Sequence, residues 1–142
     1  MENVGRIPRV IPAPADIRVV LIETSHPGNI GAVARAMKNM GLSQLVLVRP
    51  REFPHSEASA RASGATDVLE QARIVDRIED GLAGCGLVVA TTARDRDQNF
   101  RVLDVRDAAA RVVEESGRGP VALMFGNERT GLTNAELSLA HL

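Results

Sequence analysis

The chain has 142 residues, enough for one domain with a hydrophobic core, and its 44% hydrophobic and 25% charged residues are ordinary for a globular protein. Its net charge of −1, taken alone, argues against a nucleic-acid-binding protein. Cys85 is the only cysteine, which excludes an internal disulfide and a cysteine-based zinc site.

The same composition bears on location and partners. No apolar run has the length of a membrane span, and the N-terminal residues contain no continuous apolar signal sequence. We therefore expect a cytoplasmic protein without membrane association and without a bound metal. Lys38 is the only lysine among 17 basic residues. A preference for bidentate phosphate contacts or the codon usage of a GC-rich genome would each produce this bias toward arginine.

The chain alternates strand and helix patterns after a loose, proline-containing leader at residues 1–16. Short apolar runs predict five strands, at residues 17–23, 45–48, 72–75, 87–91 and 121–125. Between them, helical periodicity predicts helices at residues 29–40, 56–63, 78–83 and 105–115, with a last helix opening near residue 134. Their predicted N-caps include Asn29, Ser56, Asp104 and Thr133. This alternation predicts an α/β fold in which helices cover both faces of a mostly parallel sheet.

Two helices show apolar stripes that predict which faces are buried. In the first helix the stripe consists of Ile30, Val33, Ala34 and Met37. Arg35 lies about 140° away from Ile30 around the helix axis and should therefore face a cleft, a partner or solvent. In the helix after residue 104 the predicted stripe consists of Val105, Ala108, Ala109, Val112 and Val113.

Two motifs, each following a predicted strand, point to a function. Residues 23–41 read ETSHPGNIGAVARAMKNMG, a strand, turn and helix without a dinucleotide fingerprint or a P-loop. The pattern Asn29, Ile30, Gly31 and Arg35 resembles the first motif of the SpoU-type 2′-O-ribose RNA methyltransferases of the SPOUT superfamily. Residues 124–132, MFGNERTGL, resemble the second motif of that family. The sequence of residues 23–42 is most similar to that of the subgroup that methylates riboses in the tRNA anticodon loop.

The resemblance implies several properties that periodicity does not give. It implies an α/β fold closed by a C-terminal trefoil knot, S-adenosylmethionine as cofactor, tRNA as substrate, and a homodimer with the active site at the interface. Residues 17–142 would form this methyltransferase domain. The third motif of the family should follow residue 142, so we expect the domain to be C-terminally incomplete and the knot segment to be missing from this chain.

The resemblance also assigns site residues. Arg35 would be catalytic, binding the 2′-oxygen and an adjacent phosphate, because a guanidinium stays protonated and is a poor base. Asn29 and Glu128 would complete the catalytic set, and His26 is a weaker candidate for proton transfer. The expected cofactor wall consists of Thr91, Thr92, Ala93, Gly126 and Asn127. Independently of the resemblance, three arginines around Phe100 suit contact with RNA phosphates, and a solvated polar loop is the alternative: Arg94, Arg96 and Arg101.

Other functions remain open at this point. Within the same enzyme class, the substrate would be ribosomal RNA instead of tRNA. From another class, the chain would be a non-catalytic RNA-binding or dimerisation module with the same fold. A plain nucleotide-binding α/β domain is disfavoured because the phosphate-binding loops of such domains are absent from the sequence.

Overall fold

The structure is a computed structural model that describes residues 16–91 and 104–142. It contains one five-stranded sheet made of β1 (Ile17–Ile22), β2 (Gln44–Val48), β3 (Arg73–Val75), β4 (Leu87–Ala90) and β5 (Val121–Phe125). The strand order is β3-β2-β1-β5-β4, and every neighbouring pair is parallel. The predicted parallel α/β fold is therefore confirmed, with β1 at the centre of the sheet.

Helices cover both faces of this sheet. They are α1 (Pro27–Asn39), α2 (Ser56–Ala62), a 3-10 turn (Ser63–Ala65), α3 (Thr66–Glu70), α4 (Ile78–Leu82), α5 (Val105–Ser116) and α6 (Asn134–Leu137). On one face, α1, α2 and α3 pack over β1 and β2, and α5 packs over β4 and β5. On the opposite face, α4 and α6 pack over alternate residues of the same strands. Side chains that alternate between the two faces of each strand thus form a core on both sides.

The first helix keeps its predicted buried face. Ile30, Ala34 and Met37 are almost fully buried against β1, β2 and α2, whereas Val33 is half-buried. Arg35 is exposed, as its position off this stripe predicts.

Three sequence predictions about helix boundaries are wrong. Asn29 is not the N-cap of α1, because the helix begins at Pro27 with His26 at the capping position. Ser56 does not cap α2; His55 Nδ1 instead accepts the backbone amide of Glu57 at 3.0 Å. Residues 63–70 form a 3-10 turn and the short helix α3, where the sequence predicted a helix end and a loop.

The predicted stripe on α5 is also wrong in part. Asp104 caps this helix as predicted, but Val112 is its only buried residue among those the structure describes. Val105 and Val113 are 86% and 66% exposed. The α5 helix lies over the edge of the sheet, so only one side chain of the apolar stripe reaches the core.

Membrane-spanning helices and clusters of metal ligands are both absent from residues 16–91 and 104–142. Within these ranges, no helix is both long and apolar enough to cross a membrane. Within the same ranges, no three side chains of His, Cys, Asp or Glu come together as metal ligands.

Candidate active site

The candidate site lies where the sheet changes its direction of winding. From β1 the chain turns onto the face covered by α1, whereas from the adjacent β5 it turns onto the face covered by α6. The two loops therefore diverge at the carboxyl ends of neighbouring parallel strands. In open α/β sheets, ligands bind in the crevice formed at this position. The first motif lies on α1, directly after the turn that follows β1, and residues 126–132 of the second motif form the loop after β5.

Glu128, in the loop after β5, binds directly to the turn after β1. Its Oε1 accepts a hydrogen bond from the backbone N–H of Ser25 at 2.9 Å. Its Oε2 accepts from the backbone N–H of His26 at 2.9 Å and from Asn29 Nδ2 at 3.0 Å. One carboxylate therefore joins the second motif to the amides at the start of α1, where the helix dipole favours a negative charge.

These hydrogen bonds set the ionisation of Glu128. Burial is the largest contribution and raises the pKa of this carboxyl group, but the donors together outweigh it. The backbone amides of Ser25, His26 and Glu128, with the side chain of Asn29, lower the pKa from 4.5 to about 2. Glu128 is consequently a stable carboxylate at neutral pH and a poor proton acceptor.

Asn127 forms the second link between the motifs. Its Nδ2 donates to the carbonyl oxygen of Glu23 at 2.8 Å and to Ser25 Oγ at 2.9 Å. Its Oδ1 accepts the backbone amides of Arg129 at 2.8 Å and Thr130 at 3.2 Å. Because these bonds use the hydrogen-bonding capacity of the amide, the side chain of Asn127 shapes the loop.

Gly126 is required by the path of its own loop. A Cβ atom at this position would lie 2.4 Å from the backbone carbon of Gly131 and 2.5 Å from the backbone nitrogen of Leu132. The loop closes over Gly126 through the 2.8 Å hydrogen bond from Gly131 N to Asn127 O. The sequence analysis places this glycine in the expected cofactor wall, and the structure adds a close approach within the chain itself.

Gly31, the glycine of the first motif, has a comparable packing role. A Cβ atom here would lie 2.2 Å from the backbone oxygen of Ala58 in α2. The glycine thus lets the backbones of α1 and α2 touch. This contact fixes the position of α1 and hence of Asn29 and Arg35.

The remaining predicted residues are arranged as follows. Thr91 follows β4, and its backbone N–H and its Oγ1 both donate to the carbonyl oxygen of Met124 at 3.1 Å. Arg35 lies about 9 Å further along α1 than Asn29 and does not join the hydrogen-bonded cluster around Glu128. His26 has an exposed side chain next to this cluster. The predicted residues Thr92, Ala93, Arg94, Arg96 and Arg101 lie outside the described residues.

Two residues near the site were missed in the sequence. Ser25 contributes both its amide and its hydroxyl group to the links between the motifs. Phe125, the last residue of β5, is 38% exposed beside Gly126. The apolar run of residues 121–125 predicts a strand but does not show that its last side chain is exposed.

The chain is similar to known proteins over most of its length. The model of a family described as the SpoU rRNA methylase family matches residues 16–142. The tRNA (cytidine/uridine/adenosine-2′-O-)-methyltransferase TrmJ of Pseudomonas aeruginosa (strain UCBPP-PA14) is 61% identical over 122 residues, which cover 85% of this chain and 48% of that protein. The chain spans about half the length of the curated relatives it matches.

Solved structures share the fold. A probable methylase family protein from Haemophilus influenzae Rd KW20 superposes with a TM-score of 0.83 at 45% identity, covering 89% of this chain and 53% of that one. TrmJ from Z. mobilis ZM4 superposes with a TM-score of 0.82 at 39% identity, covering 87% and 55%. With both motifs joined at the carboxyl edge of the sheet and the family model matched over residues 16–142, the chain belongs to the SpoU methylase family.

Proposed function

We propose that the chain carries the methyl-transfer site of an S-adenosylmethionine-dependent tRNA (ribose-2′-O)-methyltransferase that acts on the anticodon loop. The observation that carries this proposal is the binding of Glu128 to Ser25, His26 and Asn29, which assembles both family motifs at one crevice. The name of the Pseudomonas relative, a tRNA 2′-O-methyltransferase at 61% identity, supports tRNA as the substrate.

The residues of the chain supply orientation and charge stabilisation in this proposal. Arg35 is exposed on α1 and donates hydrogen bonds to the ribose 2′-oxygen, where negative charge develops. Asn29 donates through Nδ2 to Glu128, and within the described residues no donor reaches its Oδ1, which is left to accept a bond from the 2′-hydroxyl group. Glu128 acts as a positioning residue, because a carboxylate with a pKa of about 2 is too weak a base to take the proton. The hydroxyl proton is released to solvent as the oxygen is methylated.

The chemistry of the crevice suits S-adenosylmethionine. The cofactor has an adenine ring and supplies an electrophilic methyl group. Phe125 offers an exposed aromatic surface for such a ring, and Gly126, Asn127 and Thr91 offer backbone groups at the ends of adjacent strands. Thr92 and Ala93 would extend this wall. The cofactor would thus be held by apolar surface and main-chain hydrogen bonds, with no demand on a charged side chain.

We further propose that the protein acts in the cytoplasm as a homodimer whose interface includes α1. The side of this helix next to Asn29 carries Ala32, Val33, Ala36 and Met40, and Met40 is 66% exposed. Small and apolar residues in a row on an exposed helix are typical of a helix–helix interface. A partner helix at this position would lie close to Arg35. Sedimentation measurements on the wild type and on Ala36→Glu test the dimer, which the glutamate should dissociate.

The direct test of the activity is methyl transfer from radiolabelled S-adenosylmethionine. The enzyme should be the longest native polypeptide that contains this sequence, and the substrate an unmodified tRNA transcript. A transcript with 2′-deoxyribose at the modified position should accept no label. The variant Arg35→Ala should lose activity by orders of magnitude while its unfolding free energy changes by less than about 0.5 kcal/mol, as is usual for an exposed residue. Near-normal turnover by this variant would refute the catalytic role of Arg35.

The same assay separates the alternative substrates. The family model is described as an rRNA methylase family, so a ribosomal RNA fragment belongs in the experiment beside tRNA. Preferential labelling of the ribosomal fragment would show that ribosomal RNA, and not tRNA, is the substrate. Tight RNA binding without transfer to either RNA would indicate a binding module.

A further inference from the structure

The arginines of the described residues fall into two groups. Most are engaged with a carboxylate or a carbonyl oxygen: Arg18, Arg49, Arg73, Arg77, Arg111 and Arg118. Within residues 16–91 and 104–142, the arginines without such a partner are Arg35, Arg51, Arg61, Arg106 and Arg129. Arg35 already has a proposed catalytic role. Three of the others lie next to one short segment of the chain.

That segment is residues 24–28, the turn after β1 with the first two residues of α1, which precedes the catalytic candidates on this helix. Arg51 donates its backbone N–H to the carbonyl oxygen of Thr24 at 3.1 Å. Arg129 follows Glu128, which binds the amides of the next two turn residues. Arg61 reaches the end of the turn, because a Cβ atom on Gly28 would lie 3.5 Å from Arg61 Nη1. All three arginines are exposed.

We propose, building on the proposed function, that Arg51, Arg61 and Arg129 form a phosphate-binding rim that holds the RNA backbone on both sides of the target ribose. The guanidinium group is suited to bidentate contact with phosphate, and an arginine without a carboxylate partner breaks no ion pair when it binds. Because the net charge of the chain is −1, its overall electrostatic field does not attract RNA. RNA must therefore be held by local positive charge next to the site.

Each arginine of the rim has an acidic residue near it, in the chain or in space. Glu128 is saturated by the amides of the turn, so it does not compete for Arg129. Glu52, which follows Arg51 in the chain, lies with its Oε1 atom 3.6 Å from His55 Nε2. Glu57 lies near Arg61, since its Oε2 would lie 3.1 Å from the same Cβ atom on Gly28. Glu57 forms no ion pair with Arg61, so a phosphate that binds this arginine breaks none.

Arg61 also has an ordinary structural explanation that the test must separate. It lies in the last turn of α2, where a cation complements the helix dipole. A residue in that role affects helix stability but leaves the salt dependence of RNA binding unchanged. The slope of log affinity against log salt concentration is therefore the decisive measurement, because each phosphate contact contributes about one unit to it.

The experiment uses the longest native polypeptide that contains this sequence and a fluorescently labelled unmodified tRNA transcript. Binding is measured between 50 and 300 mM KCl for the parent, for Arg51→Gln, Arg61→Gln and Arg129→Gln, and for the triple variant. Arg118→Gln is the control. It removes the same charge, but Arg118 lies just before β5, at the amino ends of the strands and away from the candidate site. Circular dichroism melting verifies that each variant is folded.

We expect each single variant to reduce the slope by about one unit and the triple variant by about three, with the control unchanged. If the parent binds tRNA and the triple variant retains its slope, the rim is refuted while the proposed function stands. An equal loss in Arg118→Gln would likewise refute it, because the effect would then reflect net charge. If the parent binds no tRNA at any salt concentration, both the rim and the proposed RNA substrate are refuted.

Discussion

Glu23 and Arg49, the residues that follow β1 and β2, form an ion pair while both have left-handed backbone conformations. Their φ angles are 53° and 48°, and Arg49 Nη2 lies 3.0 Å from Glu23 Oε2. Non-glycine residues rarely adopt this conformation, and it is stable only where surrounding contacts enforce it. Here the Glu23 carbonyl oxygen accepts from Asn127, and the Arg49 guanidinium also donates to the carbonyl oxygen of Asp76. The two bends direct the chain away from the sheet and into the candidate site.

The strength of this pair is measurable by a double-mutant cycle with Glu23→Gln, Arg49→Gln and the double variant. Both side chains are 40–50% exposed, so we expect a coupling free energy of about 0.2–1 kcal/mol, typical of a solvent-accessible ion pair. Urea unfolding of the four proteins provides the measurement. Strictly additive losses in the free energy of unfolding would show that the ion pair does not support the strained backbone.

Glu128 should make stability depend on acid pH. The folded state lowers the pKa of this carboxyl group, so its contribution is fully present above 4.5 and is lost as the pH falls toward about 2. We expect Glu128→Gln to be less stable than the wild type at pH 7 and to show a smaller loss of stability between pH 4.5 and pH 2. Urea denaturation across this range tests the prediction. Parallel pH profiles for the two proteins would contradict it.

Glu128→Gln should also change catalysis in a specific way. Because Glu128 positions Asn29 and does not take the proton, the variant should lower kcat while leaving the pH dependence of kcat/KM above neutrality unchanged. A rate profile of methyl transfer from pH 6 to pH 9 provides the measurement. Loss of a titrating group from that profile would instead identify Glu128 as a proton acceptor.

Gly31→Ala should destabilise the protein through the contact between α1 and α2. The new Cβ atom would overlap the backbone oxygen of Ala58, so the helices must separate, and overpacking of this kind costs about 1–3 kcal/mol or more. Gly64→Ala is the matched control, because no atom lies within 4 Å of a Cβ atom at that position. Thermal unfolding of both variants is the test. Equal melting temperatures for the two would show that α1 and α2 are less closely packed than described.

Gly126→Ala should damage the site more than the fold. The added Cβ atom would overlap the backbone of Gly131 and Leu132, and the loop at residues 126–132 must open to accommodate it. We expect methyl transfer to fall by at least tenfold, since the same loop carries Glu128. Gly119→Ala, at a position with open space, is the control for the loss of a glycine. Unchanged activity in Gly126→Ala would indicate that the loop adapts without moving Glu128.

The parallel sheet was predictable because its strands are short apolar runs separated by helical periodicity. The interaction of Asn29 was not, because local sequence shows a helix-capping residue and gives no sign of a carboxylate 99 residues away. In the structure the side chain of Asn29 donates to Glu128, and His26 occupies the N-cap position of α1. For the same reason, the stripe on α5 was overestimated: periodicity shows which side chains share a face, but burial depends on what lies opposite, and only Val112 meets the sheet.

The central position of β1 has a consequence for biosynthesis. One edge of β1 pairs with β2, which follows it closely in the chain, but the other edge pairs with β5, as in the register of Val20 with Met124. A nascent chain that has left the ribosome only as far as β4 therefore exposes an unpaired, apolar strand edge, which invites aggregation or a chaperone. Glu128 emerges just after β5, so the same late event that seals the sheet also closes the candidate active site. Translation products that end before β5 consequently lack both the second partner of β1 and the hydrogen bonds that join the two motifs.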